Sequence, residues 1–297
     1  MPIRRSSRRF IGAVALVFVV ASFSACDPPP PPDIYVSLGD SYTSGPQITD
    51  QTGTPAGCLR SNRNYSAVAF EQVSVENLGL QRLWDVSCSG AQTKDFFAGQ
   101  VTSDGTNLAQ LDVVGSASKV VTIGIGGNDI GFSDILQSCL KPVPALQQDC
   151  KPDYVVNGVD ELRNRIDALA TKIDQVLDTV HQRAPQAAVF LVGYPTILPD
   201  TGQGCWPAVP ISGGDVTYLY GVEQYLNAML EDRAGAHGAT FVDTATSSIG
   251  HDACAGSAKW VNGISLSGDG AMFHPNAAGM DHTADLVAAA IEAHFAD

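Results

Sequence analysis

The chain has 297 residues, 44% hydrophobic and 16% charged, which is long enough to bury a substantial core. It carries 17 Lys and Arg against 31 Asp and Glu, a formal net charge of −14. So acidic a surface argues against nucleic acid as a partner and against electrostatic adhesion to anionic lipid.

The N-terminal segment has the pattern of an export signal. A basic start with four arginines precedes an uncharged, mostly apolar run over residues 10–23. That run fits a signal peptide and is short for a membrane-spanning helix, which needs about 20 apolar residues. We therefore predict a signal peptide at residues 1–25.

The sequence "FSAC" at the end of this segment resembles the lipobox of bacterial lipoproteins, in which the cysteine becomes the first mature residue and carries the lipid. Five prolines follow shortly after Cys26, and such a run is stiff and extended. We predict a lipidated Cys26 and a tether over residues 26–33, which would hold a domain of residues 34–297 at the outer face of the cytoplasmic membrane. The alternative is cleavage elsewhere and a freely secreted protein.

Six cysteines remain after Cys26. An even number in an exported chain predicts three disulfides, and of the several connectivities that the sequence allows we choose sequential pairing. Zinc is the alternative ligand, but the chain has no Cys-x-x-Cys pair, so we expect no metal. The six are Cys58, Cys88, Cys139, Cys150, Cys205 and Cys254.

Strand and helix patterns alternate along the chain. A strand at residues 34–38 is followed by a short helix at 64–72, a possible strand at 82–86 and a clear buried strand at 119–124. An amphipathic helix at 162–180 ends before Pro185 and precedes a strand at 188–193. A helix at 216–233, a short strand at 240–243 and a helix at 275–295 with Pro275 in its first turn complete the series. Alternation of this kind predicts an α/β fold with a five-stranded parallel sheet covered by helices on both faces.

Polar residues cluster where three of the predicted strands end, which is the edge of a parallel sheet that holds active sites. Ser41 follows the first strand, and Gly39 before it would permit a sharp bend. A serine hydroxyl becomes a nucleophile only when a base takes its proton, and His274 before the last helix is the candidate base. Gly90 and Asn128 follow the next two strands and could donate hydrogen bonds to an oxyanion.

The segments "GDSY", "SGA", "GGND" and "FHPNAAG" resemble, in order, the four blocks of the SGNH (GDSL) hydrolase family. The six cysteines and "GDSYTSGP" resemble its actinobacterial secreted lipase/esterase branch, whose members carry three sequential disulfides. The resemblance implies a three-layer α/β/α sandwich of flavodoxin-like order. It also implies Ser41 as nucleophile, His274 as base, and an oxyanion hole of the Ser41 and Gly90 N–H groups and the Asn128 side chain. The disulfides it implies are Cys58–Cys88, Cys139–Cys150 and Cys205–Cys254.

The chain departs from the family pattern beside the histidine. Most members place an aspartate three residues before it, where this chain has Ala271. Two alternatives remain for the group that orients His274: a backbone carbonyl near Ala271, which we favour, and the side chain of Asp269.

We therefore predict a monomeric, exported serine ester hydrolase of the lipase/esterase type that acts on acyl esters without a cofactor. A carbohydrate O-deacetylase of the same family is the alternative among enzymes. A non-catalytic, surface-binding lipoprotein is the alternative from another class.

Overall fold

Five parallel strands form the central sheet of the protein. A computed structural model describes Met1 and residues 33–73, 78–140, 149–264 and 269–296. In chain order, β1 to β5 are Asp33–Gly39, Leu80–Asp85, Ser118–Gly124, Ala188–Val192 and Thr240–Val242. The strands pair in the order β2-β1-β3-β4-β5, and every pair is parallel. This is the flavodoxin-like order, so the predicted fold class is confirmed.

Helices of very different length connect the strands. Helices α1 to α8 are Ser41–Ser44, Tyr65–Gln72, Phe132–Cys139, Lys151–Tyr154, Glu161–Arg183, Gly213–Ala236, Ala245–Ser248 and Ala277–Ala296. Short 3-10 turns lie at Ala56–Cys58, Thr93–Phe96, Gln110–Val113 and Gly256–Ala258. Two small hairpins pair Gln100–Val101 with Thr106–Asn107 and Val155–Val156 with Val159–Asp160.

Alternate residues of each strand serve two separate cores, because successive side chains of a strand point to opposite faces of the sheet. Tyr35 and Phe190 pack with α2 and α8 on one face. Val36 and Leu191, each adjacent to one of these, pack with α5 and α6 on the other face. The result is the predicted sandwich of three layers.

Helix α5 shows how local sequence determines an element. The side chain of Asp160 accepts hydrogen bonds from the N–H groups of Leu162 and Arg163 and so caps the first turn. Pro185 lies just beyond the last turn, where a proline can no longer continue a helix. All seven apolar residues of the predicted stripe are buried: Leu162, Ile166, Leu169, Ile173, Val176, Leu177 and Val180.

Two boundaries differ from the sequence prediction. Asp33, predicted as the last tether residue, is the first residue of β1, and its carboxylate lies 3.0 Å from the Lys119 ammonium. Pro275, predicted in the first turn of the last helix, lies two residues before α8. The cap is Asn276, whose side chain accepts a hydrogen bond from the Gly279 N–H at 3.0 Å.

Three disulfides join loops around the sheet: Cys58–Cys88, Cys139–Cys150 and Cys205–Cys254. The predicted signal peptide beyond Met1, Cys26 and the five prolines lie outside the described residues. Within the described part of the chain, no helix combines the length and the apolar character that crossing a bilayer requires.

Candidate active site

The nucleophile candidate lies where β1 turns into α1. Asp40 is the N-cap of this single-turn helix, and its Oδ1 accepts the Tyr42 N–H at 2.8 Å. Ser41 is therefore the first helical residue, where backbone N–H groups have no partner inside the helix. Its side chain is largely buried, with the residue 6% exposed.

Gly39 is required here for space, which corrects the sequence interpretation that it permits a sharp bend. Gly39 is the last residue of β1 and is not among the residues with a positive φ. A Cβ at this position would lie 2.1 Å from Oγ1 of Thr43 and 2.6 Å from the Gly124 carbonyl oxygen. Only a residue without a side chain lets α1 fold back so closely on the sheet.

Ser41 and His274 meet at the carboxyl edge of the sheet. The distance from the Ser41 Oγ to the His274 Nε2 is 2.8 Å, although 233 residues separate them in the chain. Nε2 is thus within reach to accept the hydroxyl proton.

The other ring nitrogen of His274 is held by main chain. Nδ1 lies 2.7 Å from the carbonyl oxygen of Met272. Since a carbonyl can only accept, Nδ1 carries the proton, and Nε2 is left with a lone pair directed at Ser41. The acceptor is therefore a backbone carbonyl one residue beyond Ala271.

The carboxylate of Asp269 points elsewhere. Its Oδ2 accepts the N–H of Ala277, the first residue of α8, at 3.1 Å. A carboxylate at a helix N-terminus is favourable for the orphan N–H groups and for the helix dipole. Asp269 therefore does not orient the imidazole of His274 in this structure.

The loop that carries His274 is fixed by two polar residues that the sequence analysis missed. Asn262 exchanges backbone hydrogen bonds with it, donating to the His274 carbonyl and accepting from the Phe273 N–H, both at 3.0 Å. The Tyr42 hydroxyl donates to the Phe273 carbonyl at 2.5 Å. Phe273 has a φ of 57°, which is rare for a bulky residue and reverses the chain just before the histidine.

Burial changes the pKa of His274, the candidate base. The imidazole packs against the ring of Tyr42, with centroids 4.9 Å apart. Burial lowers the pKa of His274 below its usual 6.5, and the hydrogen bond to Met272 opposes this only in part. The lowered pKa favours the neutral form, which is the form able to accept a proton.

Asn128 shares one pocket with Ser41 and His274, and Phe132 and Tyr194 are among the other residues that line it. The Asn128 Nδ2 donates to the Ala91 carbonyl at 2.9 Å, which orients the amide and leaves its second hydrogen available. This bond also ties the loop after β3 to the loop after β2.

Gly90 is not among the residues that line this pocket. It precedes Ala91 and has a φ of 79°, a conformation that favours glycine. Its N–H has no protein acceptor within the described ranges. The structure thus brings Ser41, Asn128 and His274 together and connects Gly90 to them through Ala91.

An apolar cavity of about 20 Å³ adjoins the Ser41 pocket and shares Gly127, Phe132 and Tyr194 with it. Glu223 of α6 lines the cavity and is 6% exposed. Its Oε2 accepts the Ile197 N–H at 2.9 Å, whereas Oε1 has no partner within the described part of the chain. Burial raises the pKa of Glu223 well above its usual range, and nearby Asp252 raises it further.

A flavodoxin-like sheet with a serine and a histidine paired at its carboxyl edge defines the chain as a hydrolase of the SGNH class. A family described as "GDSL-like Lipase/Acylhydrolase family" matches residues 37–282. The chain belongs to this family, and the predictions of family and of ester-hydrolase activity are confirmed.

Relatives from Streptomyces match nearly the whole chain. Lipase 2 of Streptomyces coelicolor is 33% identical over 93% of this chain and 94% of its own. The lipase of Streptomyces rimosus is 33% identical over 93% and 95%, and an esterase of Streptomyces scabiei is 27% identical over 94% and 91%.

Solved structures agree with these sequence matches. The extracellular lipase of S. rimosus superposes with a TM-score of 0.68 at 30% identity, covering 87% of this chain and 99% of that one. Phospholipase A1 of Streptomyces albidoflavus gives a TM-score of 0.67 at 27% identity, covering 87% and 98%.

Proposed function

We propose that Ser41 is the nucleophile and His274 the general base in the hydrolysis of acyl esters by this enzyme. The Ser41 oxygen attacks the ester carbonyl carbon while its proton passes to the His274 Nε2. His274 then donates that proton to the departing alcohol, which leaves an acyl-Ser41 ester. Water, deprotonated by His274, cleaves this ester, releases the acid and regenerates Ser41.

The oxyanion formed in each step is stabilised by the N–H groups of Ser41 and Gly90 and by the Asn128 amide. Neither N–H has an acceptor within the described ranges, and the Asn128 amide is oriented by its bond to Ala91. Removing one such donor typically lowers kcat by about 100- to 1000-fold. The mechanism needs no metal or cofactor.

One observation carries this proposal: the 2.8 Å contact between Ser41 and His274, with the far side of the imidazole held by Met272 at 2.7 Å. The test is the steady-state hydrolysis of p-nitrophenyl butyrate by wild type and by Ser41→Ala, with Ser247→Ala, which changes an exposed serine of α7, as the control. We expect loss of turnover only in Ser41→Ala. Turnover by Ser41→Ala at the wild-type rate contradicts the proposal.

Lipid acyl esters are the proposed substrates. The similar proteins named lipases and a phospholipase support this proposal. An O-deacetylase of the same family would cleave only the acetyl group. Comparing kcat/KM on p-nitrophenyl acetate, butyrate and octanoate separates the two, because we expect the rate to rise beyond acetate.

Export of the enzyme as a monomer, with a lipid on Cys26, completes the proposal. The S. rimosus relative is an extracellular lipase, and the N-terminal sequence of this chain resembles that of an exported lipoprotein. Intact-mass analysis of protein from native membranes tests the anchor, which we expect as a diacylglyceryl adduct on Cys26. An unmodified Cys26 contradicts it.

A further inference from the structure

The hydroxyl of Tyr194 bridges the turn that carries the nucleophile and the loop that carries Asn128. Tyr194 follows β4 and is buried. Its hydroxyl donates to the Asp40 Oδ2 at 2.6 Å and accepts the Gly127 N–H at 2.8 Å. One phenol oxygen therefore joins the ends of β1 and β3 through the end of β4.

Both partners of this hydroxyl are sequence neighbours of reacting groups. Asp40 precedes Ser41, and its second oxygen holds the first turn of α1 through the Tyr42 N–H. Gly127 precedes Asn128. A Cβ on Gly127 would lie 3.2 Å from the Tyr194 hydroxyl, so loop and tyrosine are already in close contact. A shift of the hydroxyl would move the nucleophile relative to the oxyanion donor.

The position of Tyr194 is determined from outside the two loops that it joins. The side chain of Asn227 in α6 accepts the Tyr194 N–H at 2.9 Å and donates to its carbonyl at 2.8 Å. The ring packs edge-on against Tyr42, with centroids 5.0 Å apart. Burial raises the pKa of Tyr194 well above its usual value, as does the adjacent Asp40, so the hydroxyl keeps the proton that it donates. The position of the phenol is thus set by contacts outside the two loops that it joins.

We propose that Tyr194 is a positioning residue for ester hydrolysis, because its hydroxyl sets the distance between the Ser41 hydroxyl and the Asn128 amide. The inference rests on the roles given to these two residues under the proposed function. Tyr194 also lines the Ser41 pocket, but the role proposed for its hydroxyl is exerted through Asp40 and Gly127, to which that hydroxyl is bonded.

The first test is Tyr194→Phe, which removes the hydroxyl and keeps the ring. We expect kcat for p-nitrophenyl butyrate to fall by about 10- to 100-fold with KM within about twofold of wild type, because the lost stabilisation concerns the transition state. The matched control is Tyr35→Phe, which removes a buried hydroxyl that accepts from Thr122 inside the sheet, and it is expected to leave kcat unchanged.

A double-mutant cycle with Asn128→Ala gives the sharper result. If the hydroxyl acts by aligning the Asn128 amide, Tyr194→Phe has little left to disturb once that amide is gone. We expect the added loss on the Asn128→Ala background to be less than about threefold, a strong departure from additivity. A purely structural role of the hydroxyl would produce the same fold loss on both backgrounds.

A second variant keeps the inference testable if Tyr194→Phe fails to fold. Gly127→Ala leaves the hydroxyl in place and adds a methyl group against it, and we expect a fall in kcat at unchanged KM. The inference is overturned if both variants retain wild-type kcat, or if the loss in Tyr194→Phe is undiminished beside Asn128→Ala. Activity in Ser41→Ala would refute the proposed function itself, whereas an inactive Ser41→Ala with an additive cycle refutes the role of Tyr194 alone.

Discussion

The Nδ1–H of His274 donates its hydrogen bond to the main-chain carbonyl of Met272, two residues earlier in the same loop. A carbonyl dipole fixes the tautomer as a carboxylate would, but it has no full negative charge with which to stabilise an imidazolium. The enzyme therefore relies on loop geometry where most of its family uses an aspartate.

Asp269→Asn tests whether the carboxylate of Asp269 takes part in catalysis. Asn keeps an oxygen for the Ala277 N–H and removes only the negative charge beside the N-terminus of α8. We therefore expect kcat within about twofold of wild type and a loss of about 0.3–1 kcal/mol in the free energy of unfolding. Steady-state kinetics and chemical denaturation of the same preparation provide both numbers. A fall in kcat of tenfold or more with unchanged stability would contradict the assignment.

The pH dependence of kcat/KM follows from the burial of His274. Burial lowers its pKa below 6.5, so the base stays neutral, and active, at pH values where an exposed histidine would be protonated. We expect the acid limb of the profile below pH 6.5, measured with an ester of a non-ionising alcohol. An acid limb near pH 7 would contradict this and would point to Asp40, whose pKa burial raises to about 7.

The sequence predicts the sheet and most of the site because strong local patterns specify them. The buried strand β3 and the apolar stripe of α5 are evident from periodicity alone, and Ser41, Asn128 and His274 lie in recognisable motifs. For the group that orients His274, the sequence favoured a backbone carbonyl near Ala271 but could not specify the carbonyl of Met272. The position of that carbonyl depends on the positive φ of Phe273, a conformation that the residue preferences of phenylalanine do not predict.

The sequence analysis did not identify Tyr194, for a different reason. Its pattern is only that of a residue after a buried strand, and its partner Asp40 lies 154 positions earlier in the chain. Only the order of strands in the folded sheet brings the two side chains together. The sequence analysis identified Gly39 but explained it by a bend in the chain. The structure requires glycine there because Thr43 leaves no room for a side chain.

The Cys58–Cys88 disulfide is expected to support both stability and rate. It spans 30 residues of sequence, which corresponds to about 3–4 kcal/mol in the chain-entropy model, and Cys88 lies two residues before Gly90. Replacing both cysteines by serine should lower the free energy of unfolding by that amount and reduce kcat. The control is the same replacement of Cys139 and Cys150, which should lower stability but leave kcat within about twofold; equal effects on kcat would contradict the link to Gly90.

Glu223 should make the fold less stable as the pH rises. Its folded-state pKa lies well above the 4.5 of an exposed glutamate, so its contribution to stability is complete below about pH 4.5 and is lost as the pH rises toward the folded-state value. Glu223→Gln retains an oxygen for the Ile197 N–H and cannot ionise. We expect it to unfold at higher denaturant than wild type at pH 8.

The matched control for Glu223 is Glu292→Gln, which removes an exposed carboxyl of α8 and changes the net charge equally. Denaturation midpoints at pH 5 and pH 8 should lie closer together in Glu223→Gln than in wild type and differ as in wild type in the control. The same pH dependence in all three proteins would show that Glu223 is not the group responsible.

Covalent labelling with a fluorophosphonate tests the central claim most directly, because the reagent traps an activated serine nucleophile. Intact mass and peptide mapping should show one phosphonyl group per chain, attached to Ser41, with ester hydrolysis lost in proportion. Ser41→Ala should take up none, and His274→Ala should react far more slowly than wild type. Labelling at another residue, or full hydrolytic activity in a protein fully labelled at Ser41, would contradict the account.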